Sequence, residues 1–198
     1  MRKNQPIIDI QTLRSQIRRQ RRQLSHTQLR HAAQQITHTF FSLPQLRKAQ
    51  RIGLYLDAFG EVPTWQIIRR LFQQKKQVFL PVICPMTQQL RWQRISMQQW
   101  RNRRFAMHRL GMQQPMQQST LAISSLDTLV LPLVVFDHLG HRVGMGGGYY
   151  DRTLAQHPQR PYRIGLAHDF QHSKTTLTMQ PWDQKLNAIC TPTRYLLF

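Results

Sequence analysis

The sequence predicts a single α/β domain: an open, mostly parallel sheet with helices on both faces, giving three layers. Short apolar segments that favour strands alternate along the chain with amphipathic segments that favour helices. The 198 residues suffice for one domain with a full hydrophobic core, and no internal repeat divides them. A glycine cluster also follows an apolar segment directly, and ligands of such sheets bind at the carboxyl ends of strands.

The first element is predicted to be an Arg-rich helix over residues 7–24. Its apolar residues recur at helical spacing and form one stripe: Ile10, Leu13, Ile17 and Leu24. Arg14 and Arg21 lie at the edge of this stripe, and Arg18 lies slightly further round the helix. Packing of the stripe should therefore direct these three arginines along the protein surface toward a neighbouring site. The other arginines are expected on a solvated basic face: Arg19 and Arg22.

A second helix is predicted after Ser25, which forms a capping-box pattern with Gln28. A third helix, from Thr64, is expected to turn four side chains inward: Trp65, Ile68, Leu71 and Phe72. Strands are predicted in the short apolar segments: 51–59, 77–83, 90–95, 128–136, 162–167 and 187–191. The stretch 96–121 has no clear pattern. Its methionines could line a ligand pocket but are expected to be ordinary packing residues: Met107, Met112 and Met116.

The composition is strongly basic, with 28 Lys and Arg against 8 Asp and Glu and a formal net charge of +20. Such a charge attracts polyanions, so nucleic-acid binding stands as a rival function. The basic residues are spread along the chain, however, and no helix-turn-helix, zinc-finger or RNA-recognition motif is present. Specific nucleic-acid binding is therefore not expected.

Other function classes are disfavoured by the sequence. No apolar segment approaches the roughly 18 residues of a membrane span, and residues 1–6 lack the apolar core of a signal peptide. A cytoplasmic protein with no membrane partner is therefore expected. The two cysteines, Cys84 and Cys190, predict neither a disulfide framework nor a zinc site, and they are expected to be small buried hydrophobic residues.

The candidate site centres on the glycine cluster. Gly144, Gly146, Gly147 and Gly148 fall within five positions. Such a cluster is best explained by unusual φ angles or by backbone N–H groups that approach a ligand closely. It matches neither the phosphate-binding loop that ends in Lys and Ser/Thr nor the dinucleotide fingerprint, and a plain tight turn is the alternative.

The residues around the glycines favour a phosphate cradle over a plain turn. Tyr149, Tyr150, Asp151 and Arg152 follow directly, and Arg142 comes just before. Two aromatic rings, a carboxylate and two guanidinium groups can together stack a flat ring, hold a divalent metal and neutralise phosphate oxygens.

Acidic residues are so rare that each carboxylate is a candidate functional group. Glu61 is the only glutamate, and it lies in the predicted loop at the carboxyl end of the 51–59 strand. A capping or solvated loop residue is the alternative interpretation.

The motif Arg-Val-Gly-Met-Gly-Gly-Gly-Tyr-Tyr-Asp-Arg, preceded by Pro-Leu-Val-Val-Phe-Asp, closely resembles the signature of the 5-formyltetrahydrofolate cyclo-ligase family. The resemblance extends over nearly the whole chain and implies one cyclo-ligase domain over residues 1–198. It implies a monomer that acts on two small molecules, 5-formyltetrahydrofolate and ATP, with Mg²⁺. The implied products are 5,10-methenyltetrahydrofolate, ADP and phosphate, formed by phosphorylation of the formyl oxygen and ring closure by N10.

The resemblance also assigns residue roles. The nucleotide is expected to bind the following residues: Arg14, Arg142, Val143, Gly144, Met145, Gly146, Gly147, Gly148, Tyr149 and Tyr150. The folate is expected to contact a second set that shares the glycine loop: Leu56, Glu61, Met145, Gly146, Gly147, Gly148 and Tyr149. Asp151 and Asp183 are expected to bind Mg²⁺, directly or through water, and the expected catalytic residues are Arg142, Tyr149 and Asp151. Tyr150 could stack on either the adenine or the pterin ring.

Two positions depart from the family pattern. Ile10 stands where relatives commonly have a lysine, four residues before Arg14, so Arg18 or Arg21 could supply the missing contact. Gln114 stands where many relatives have a glutamate. A catalytically silent relative, or another enzyme on a similar sheet such as a phosphosugar isomerase or CoA transferase, therefore remains an alternative, and a test of ATP dependence separates these cases.

Overall fold

The structure, a computed structural model, describes residues 9–116 and 119–198. The helices are α1 (Ile10–Arg22), α2 (His26–Ser42), α3 (Gln45–Lys48), α4 (Trp65–Gln73), α5 (Met97–Arg101) and α6 (Tyr149–Leu154). The strands are β1 (Arg51–Gly53), β2 (Gln77–Ile83), β3 (Leu90–Ile95), β4 (Phe105–Met107), β5 (Gln113–Pro115), β6 (Thr120–Leu121), β7 (Thr128–Pro132), β8 (Val135–Phe136), β9 (Arg142–Val143), β10 (Tyr162–Leu166), β11 (Ala188–Cys190) and β12 (Tyr195–Leu197).

The central sheet has eight strands in the order β12-β11-β10-β7-β1-β2-β3-β6. The inner strands from β11 to β2 all pair in parallel. Strand β12 at one edge and strands β3 and β6 at the other are antiparallel. The predicted mostly parallel, single-domain α/β fold is therefore confirmed.

Alternation along the strands separates two hydrophobic cores, one on each face of the sheet. In β2, Val78 and Leu80 point to the face covered by α2 and α4, where Phe40 and Ile68 pack against them in the same core cluster. Phe79 points to the opposite face. On that face the core includes residues from outside the sheet, among them Leu126, Leu154 of α6 and Leu186. Helices therefore lie on both faces, as the three-layer prediction requires.

The predicted strand 51–59 is longer than the observed β1. Beyond Gly53 the chain folds back on itself, because the Tyr55 hydroxyl donates to the Val62 carbonyl at 3.0 Å and the Thr64 hydroxyl donates to the Tyr55 carbonyl at 2.8 Å. These hydrogen bonds from side chains to the backbone take the place of the strand-to-strand hydrogen bonds that a longer β1 would form. They form a loop at the carboxyl end of β1, and this loop carries Glu61.

Several other predictions need correction. The 128–136 segment forms two strands, β7 and β8, that belong to different sheets. Trp65 does not point inward but is 41% exposed, and Met107 and Met116 are exposed rather than packed. The last strand is β12, which had no counterpart among the predicted strands.

Helix α1 matches the predicted Arg-rich helix, although residues 7 and 8 lie outside the described part of the chain. Its apolar stripe packs through Ile10, Leu13 and Ile17 against a third cluster that includes Val135 of β8 and Val143 of β9. This contact holds α1 beside the short β8–β9 hairpin, directly before the glycine cluster.

The turn of the β8–β9 hairpin is organised by Asp137, whose side chain is fully buried. One carboxylate oxygen accepts from the backbone N–H groups of Leu139 and His141, and the other accepts from Leu177 and from Nδ1 of the His141 ring. Burial alone would raise the Asp137 pKa, but these hydrogen bonds outweigh it and lower the pKa. The hairpin therefore depends on an ionised, fully hydrogen-bonded carboxylate.

The substitution Asp137→Ala is expected to lower the free energy of unfolding by about 3 kcal/mol, because it leaves several buried N–H groups without acceptors. Chemical denaturation of both proteins at pH 7 measures this difference. Asp9→Ala is the matched control, since Asp9 is exposed and caps α1 through two backbone N–H groups, and its loss should cost only about 1 kcal/mol. Equal losses for the two variants would contradict the assigned role of Asp137.

Candidate active site

The glycine cluster forms a loop between β9 and α6. Gly146 has φ +102° and Gly148 has φ +66°, and both values lie in the left-handed region that disfavours side chains. Gly148 is the N-cap residue of α6, so the helix begins directly after the last glycine. The expectation of unusual φ angles is confirmed at these two positions.

Arg14 of α1 reaches this loop across the hairpin. Its Nε donates a hydrogen bond to the Gly144 carbonyl at 3.0 Å. A side chain at Gly146 would place its Cβ 3.8 Å from the Arg14 guanidinium, so this cation lies beside the glycine loop. The sequence prediction that the N-terminal helix delivers Arg14 to a neighbouring site agrees with this position.

Arg142 and Asp151 form a half-buried ion pair at the end of the glycine loop. Nη2 of Arg142 lies 2.7 Å from Oδ1 of Asp151, and Nη1 of Arg142 donates to the Gln184 carbonyl. The same Oδ1 accepts from the Gln184 backbone N–H at 3.1 Å. The 180–184 turn is thereby tied to the loop. Oδ2 of Asp151 makes no hydrogen bond to the part of the chain that the structure describes.

The two tyrosines after the glycines have different surroundings. The Tyr149 ring is close to the loop, since a Cβ on Gly147 would lie 2.9 Å from two of its carbons, and the Arg152 guanidinium lies 5.9 Å from its centre. Burial raises the Tyr150 pKa, the Glu61 charge raises it further and Arg142 opposes the rise. The Tyr150 hydroxyl therefore lies within the electrostatic reach of both Glu61 and Arg142.

Glu61 is nearly buried in the loop that follows β1. One carboxylate oxygen accepts from the Ala58 N–H at 3.1 Å, and the other lies 3.6 Å from Nη2 of Arg21. Burial raises the pKa of Glu61 to about 7, although the positive charge of Arg21 opposes this rise. At neutral pH the carboxyl group therefore stands near the midpoint of its titration.

The remaining predicted site residues take different positions. Val143 is buried in the third core cluster, so only its backbone can face a ligand, whereas Met145 is 39% exposed. Leu56 is partly buried against the core on the α2 and α4 face. Asp183 uses Oδ2 to accept from the Gln180 N–H at 2.8 Å, and this bond closes the 180–184 turn.

The metal prediction is compatible with these positions but is not tested by them. Among the described residues, no group of three or more His, Cys, Asp and Glu side chains could hold an ion. Mg²⁺ commonly binds through one or two carboxylates and completes its shell with water and phosphate oxygens. The Gln184 N–H bond to Asp151 brings the turn that contains Asp183 to the same end of the glycine loop. The unbonded Oδ2 of Asp151 suits a metal ligand.

The structure gives a packing reason for one of the two residues that depart from the family pattern, Ile10, and shows the location of the other, Gln114. Ile10 packs against the third core cluster, so an apolar residue fits there. Arg21 cannot replace the missing lysine, because its side chain is buried and points to backbone carbonyls. Its predicted surface position was therefore wrong. Gln114 lies in β5, opposite Ala106 of β4.

A family model described as the 5-formyltetrahydrofolate cyclo-ligase family matches residues 8–192. The chain belongs to the 5-formyltetrahydrofolate cyclo-ligase family. It is 34% identical over 182 residues to the 5-formyltetrahydrofolate cyclo-ligase of Escherichia coli strain K12, covering 90% of this chain and 97% of the relative. It is also 34% identical over 179 residues to the Haemophilus influenzae enzyme of that name, covering 89% of this chain and 94% of the relative.

Solved structures show the same fold. The NMR structure of Aquifex aeolicus 5,10-methenyltetrahydrofolate synthetase aligns with a TM-score of 0.80 at 24% identity, over 94% of this chain and 91% of that one. The Mycoplasma pneumoniae 5,10-methenyltetrahydrofolate synthetase aligns with a TM-score of 0.74 at 24% identity, over 93% of this chain and 99% of that one. The cyclo-ligase chain is thus an enzyme on this family's α/β scaffold. No helix in the described part of the chain is long and apolar enough to cross a membrane.

One contributor to the site was not identified from the sequence. The backbone of Gln184 forms hydrogen bonds with both Arg142 and Asp151. Because any residue type offers the same backbone groups, the sequence could not predict this contact. His168 donates from Nε2 to the Gly60 carbonyl at 3.3 Å, and burial lowers its pKa to about 4. His168 is therefore neutral at pH 7, and its place beside Asp169 at a predicted strand end is the sequence feature that singles it out among the nine histidines.

The glycine loop allows a matched test of its packing. Gly147→Ala would force the Tyr149 ring to move, because the new Cβ would lie 2.9 Å from it, whereas Gly144→Ala meets nothing within 4 Å. We expect Gly147→Ala to lower cyclo-ligase turnover by about tenfold or more, since small misplacements of site groups are costly, and Gly144→Ala to have the smaller effect, because its Cβ displaces no protein group. Steady-state rates of the two variants measure this difference, and equal activities would show that the ring position does not matter.

Proposed function

We propose that the chain converts 5-formyltetrahydrofolate to 5,10-methenyltetrahydrofolate with consumption of ATP in the presence of Mg²⁺. The observation that carries this proposal is the meeting of two unlike subsites. Arg14, Arg142 and the glycine loop provide cations and bare backbone for phosphates, while Glu61 provides a carboxylate for the pterin ring. The charges of both Glu61 and Arg142 influence the pKa of Tyr150, which supports the closeness of the two subsites.

The proposed reaction solves a leaving-group problem. The formyl oxygen attacks the γ-phosphorus of ATP, the bond from that phosphorus to the bridging oxygen breaks, and ADP leaves. N10 of the folate then attacks the activated formyl carbon, the carbon–oxygen bond breaks and phosphate leaves. N10 loses its proton, which leaves the methenyl bridge between N5 and N10. For phosphoryl transfer of this kind, the protein mainly needs to position the two substrates and to stabilise the charge on the transferred phosphoryl group.

Each group of residues has a proposed role in this scheme. Gly144–Gly148 approach the phosphates with backbone N–H groups, and Arg14 and Arg142 neutralise phosphate oxygens. Arg142 uses two of its five N–H donors within the protein, so others remain for a ligand. The backbone at Val143 continues the cradle, and the half-exposed Met145 side chain gives an apolar wall.

The folate is proposed to contact a second set of residues, which shares Met145, Gly146–Gly148 and Tyr149 with the nucleotide. Tyr149 packs on the folate beside the glycine loop, Leu56 adds apolar contact, and Tyr150 stacks on one of the two rings. Ionised Glu61 accepts hydrogen bonds from the N–H groups on the pyrimidine edge of the pterin. Mg²⁺, held by Asp151 and Asp183, would supply charge neutralisation at the phosphates.

The first experiment mixes the protein with 5-formyltetrahydrofolate, Mg²⁺ and ATP and follows the methenyl chromophore, with ADP and phosphate measured in parallel. The expected result is product only with ATP, in a one-to-one ratio with ADP. Product without ATP, or no product from folded protein, would contradict the proposal. The second result would favour the catalytically silent alternative.

The metal role of Asp151 is tested with Asp151→Asn. The amide can still accept from the Gln184 N–H, but it loses the charge for Mg²⁺, so turnover should fall by at least about 10²-fold. Raising the Mg²⁺ concentration should recover part of the loss. Loss of activity without any shift in Mg²⁺ dependence would assign Asp151 to holding Arg142 alone, and near-normal turnover at low Mg²⁺ would contradict the metal role.

The proposal includes a monomer in the cytoplasm with no nucleic-acid partner. Light scattering coupled to size-exclusion chromatography should give a mass near the 23.6 kDa of one chain.

Binding to random DNA or RNA should be weak at physiological salt, because a general basic surface binds only through counterion release. A mass of two chains, or tight binding at that salt, would contradict these two parts of the proposal.

A further inference from the structure

The feature that the proposed reaction leaves unused is the buried guanidinium of Arg21. The residue is 1% exposed, although arginine is almost never fully buried without partners. Its donors point to the carbonyl oxygens of Leu133 at 3.3 Å, Ala58 at 3.4 Å and Phe59 at 2.9 Å. Nη2 also lies 3.6 Å from the Glu61 carboxylate. One cation therefore contacts both the backbone and the carboxylate of the loop 58–61.

The backbone of this loop is fitted against α1 at the same place. Gly60 has φ +73°, and a Cβ there would lie 2.5 Å from the Arg21 carbonyl oxygen, so only glycine allows the approach. On the other side of Gly60, His168 donates to the Gly60 carbonyl. The Ala58 N–H holds one oxygen of Glu61 at 3.1 Å, which leaves the carboxylate in a fixed orientation.

The charges around Glu61 do not balance without Arg21. Burial disfavours the ionised carboxyl group, and the negative charge of Asp57 disfavours it further. The other neighbours are neutral at pH 7: burial raises the pKa values of Tyr55 and Tyr150 and lowers that of His168. Arg21 is the largest influence that favours ionisation of Glu61.

The charge state matters for the ligand that Glu61 is proposed to hold. The pyrimidine edge of a pterin presents two neighbouring N–H donors, and an ionised carboxylate accepts from both. A protonated carboxyl group has its own O–H donor and would oppose one of them. Ionisation of Glu61 is therefore coupled to folate affinity.

We propose that Arg21 is a positioning residue for the folate: it fixes the loop 58–61 and favours the ionised form of Glu61 at neutral pH. The role in folate binding rests on the proposed function. The control of Glu61 ionisation does not, because it concerns two side chains of the protein alone.

The direct test is an NMR titration of the Glu61 carboxyl carbon in protein labelled with [δ-¹³C]glutamate. Glu61 is the only glutamate in the chain, so a single side-chain carboxyl signal from glutamate is expected. Arg21→Gln keeps a hydrogen-bond donor but removes the charge, and it should raise the titration midpoint by about one pH unit or more. Arg21→Lys keeps a charge that lies further from the carboxylate, and it should raise the midpoint by less.

An unchanged midpoint in both variants would overturn the proposal. If Arg21→Gln does not fold, the titration of Arg21→Lys decides, since its midpoint must still exceed that of the wild type. This result does not depend on turnover. A wild-type protein without cyclo-ligase activity would therefore contradict the proposed function without affecting the titration.

Kinetics test the consequence for the folate. In Arg21→Gln, the KM for 5-formyltetrahydrofolate should rise about tenfold at pH 7 and return toward the wild-type value near pH 9, where Glu61 ionises again. The KM for ATP should stay nearly constant. A merely structural role would instead raise both KM values at every pH. Arg22→Gln is the matched control on the exposed end of α1 and should change neither value.

A Glu61→Gln background completes the test. If Arg21 acts through Glu61, Arg21→Gln should add little further loss of folate affinity when the carboxylate is already absent. Independent, additive losses would show that Arg21 does not act through the carboxylate.

Discussion

The site depends on one helix that contacts two loops. Arg14 and Arg21 lie seven residues apart on α1, about 10 Å along its axis and on the same face. Arg14 donates to the glycine loop at Gly144, and Arg21 donates to the loop that carries Glu61. Because the apolar stripe of α1 packs on the β8–β9 hairpin, the spacing between these two loops is set by a packed helix and not by the loops themselves.

The rare acidic side chains are concentrated where this arrangement needs them. Within the described part of the chain, an acidic side chain contacts a basic one in three places: Arg21–Glu61, Arg142–Asp151 and the hydrogen-bonded pair His141–Asp137. The first two lie at the proposed folate and phosphate subsites, and the third shapes the hairpin that supports α1. Most of the +20 charge therefore has no acidic partner, and a positive charge of this size attracts anions.

The sequence predicted the elements whose pattern is local. Strands β2 and β3 match their predicted bounds, because β2 is a nearly continuous apolar segment and β3 mixes apolar and polar residues in a short alternating pattern. The glycine loop and Arg14 were identified from the motif and the family resemblance. The end of β1 was not predicted, because it is set by bonds between Tyr55, Val62 and Thr64. The burial of Arg21 depends on the carbonyl of Leu133, 112 residues away, and no local pattern reports such a contact.

In the proposed reaction, the site activates the formyl oxygen by making it part of a phosphate leaving group. The most direct measurement uses 5-formyltetrahydrofolate labelled with ¹⁸O in the formyl group and analyses the released phosphate by mass spectrometry. The proposed mechanism predicts that each phosphate released with methenyl product carries one ¹⁸O atom. Unlabelled phosphate, with the ¹⁸O released as water, would contradict it.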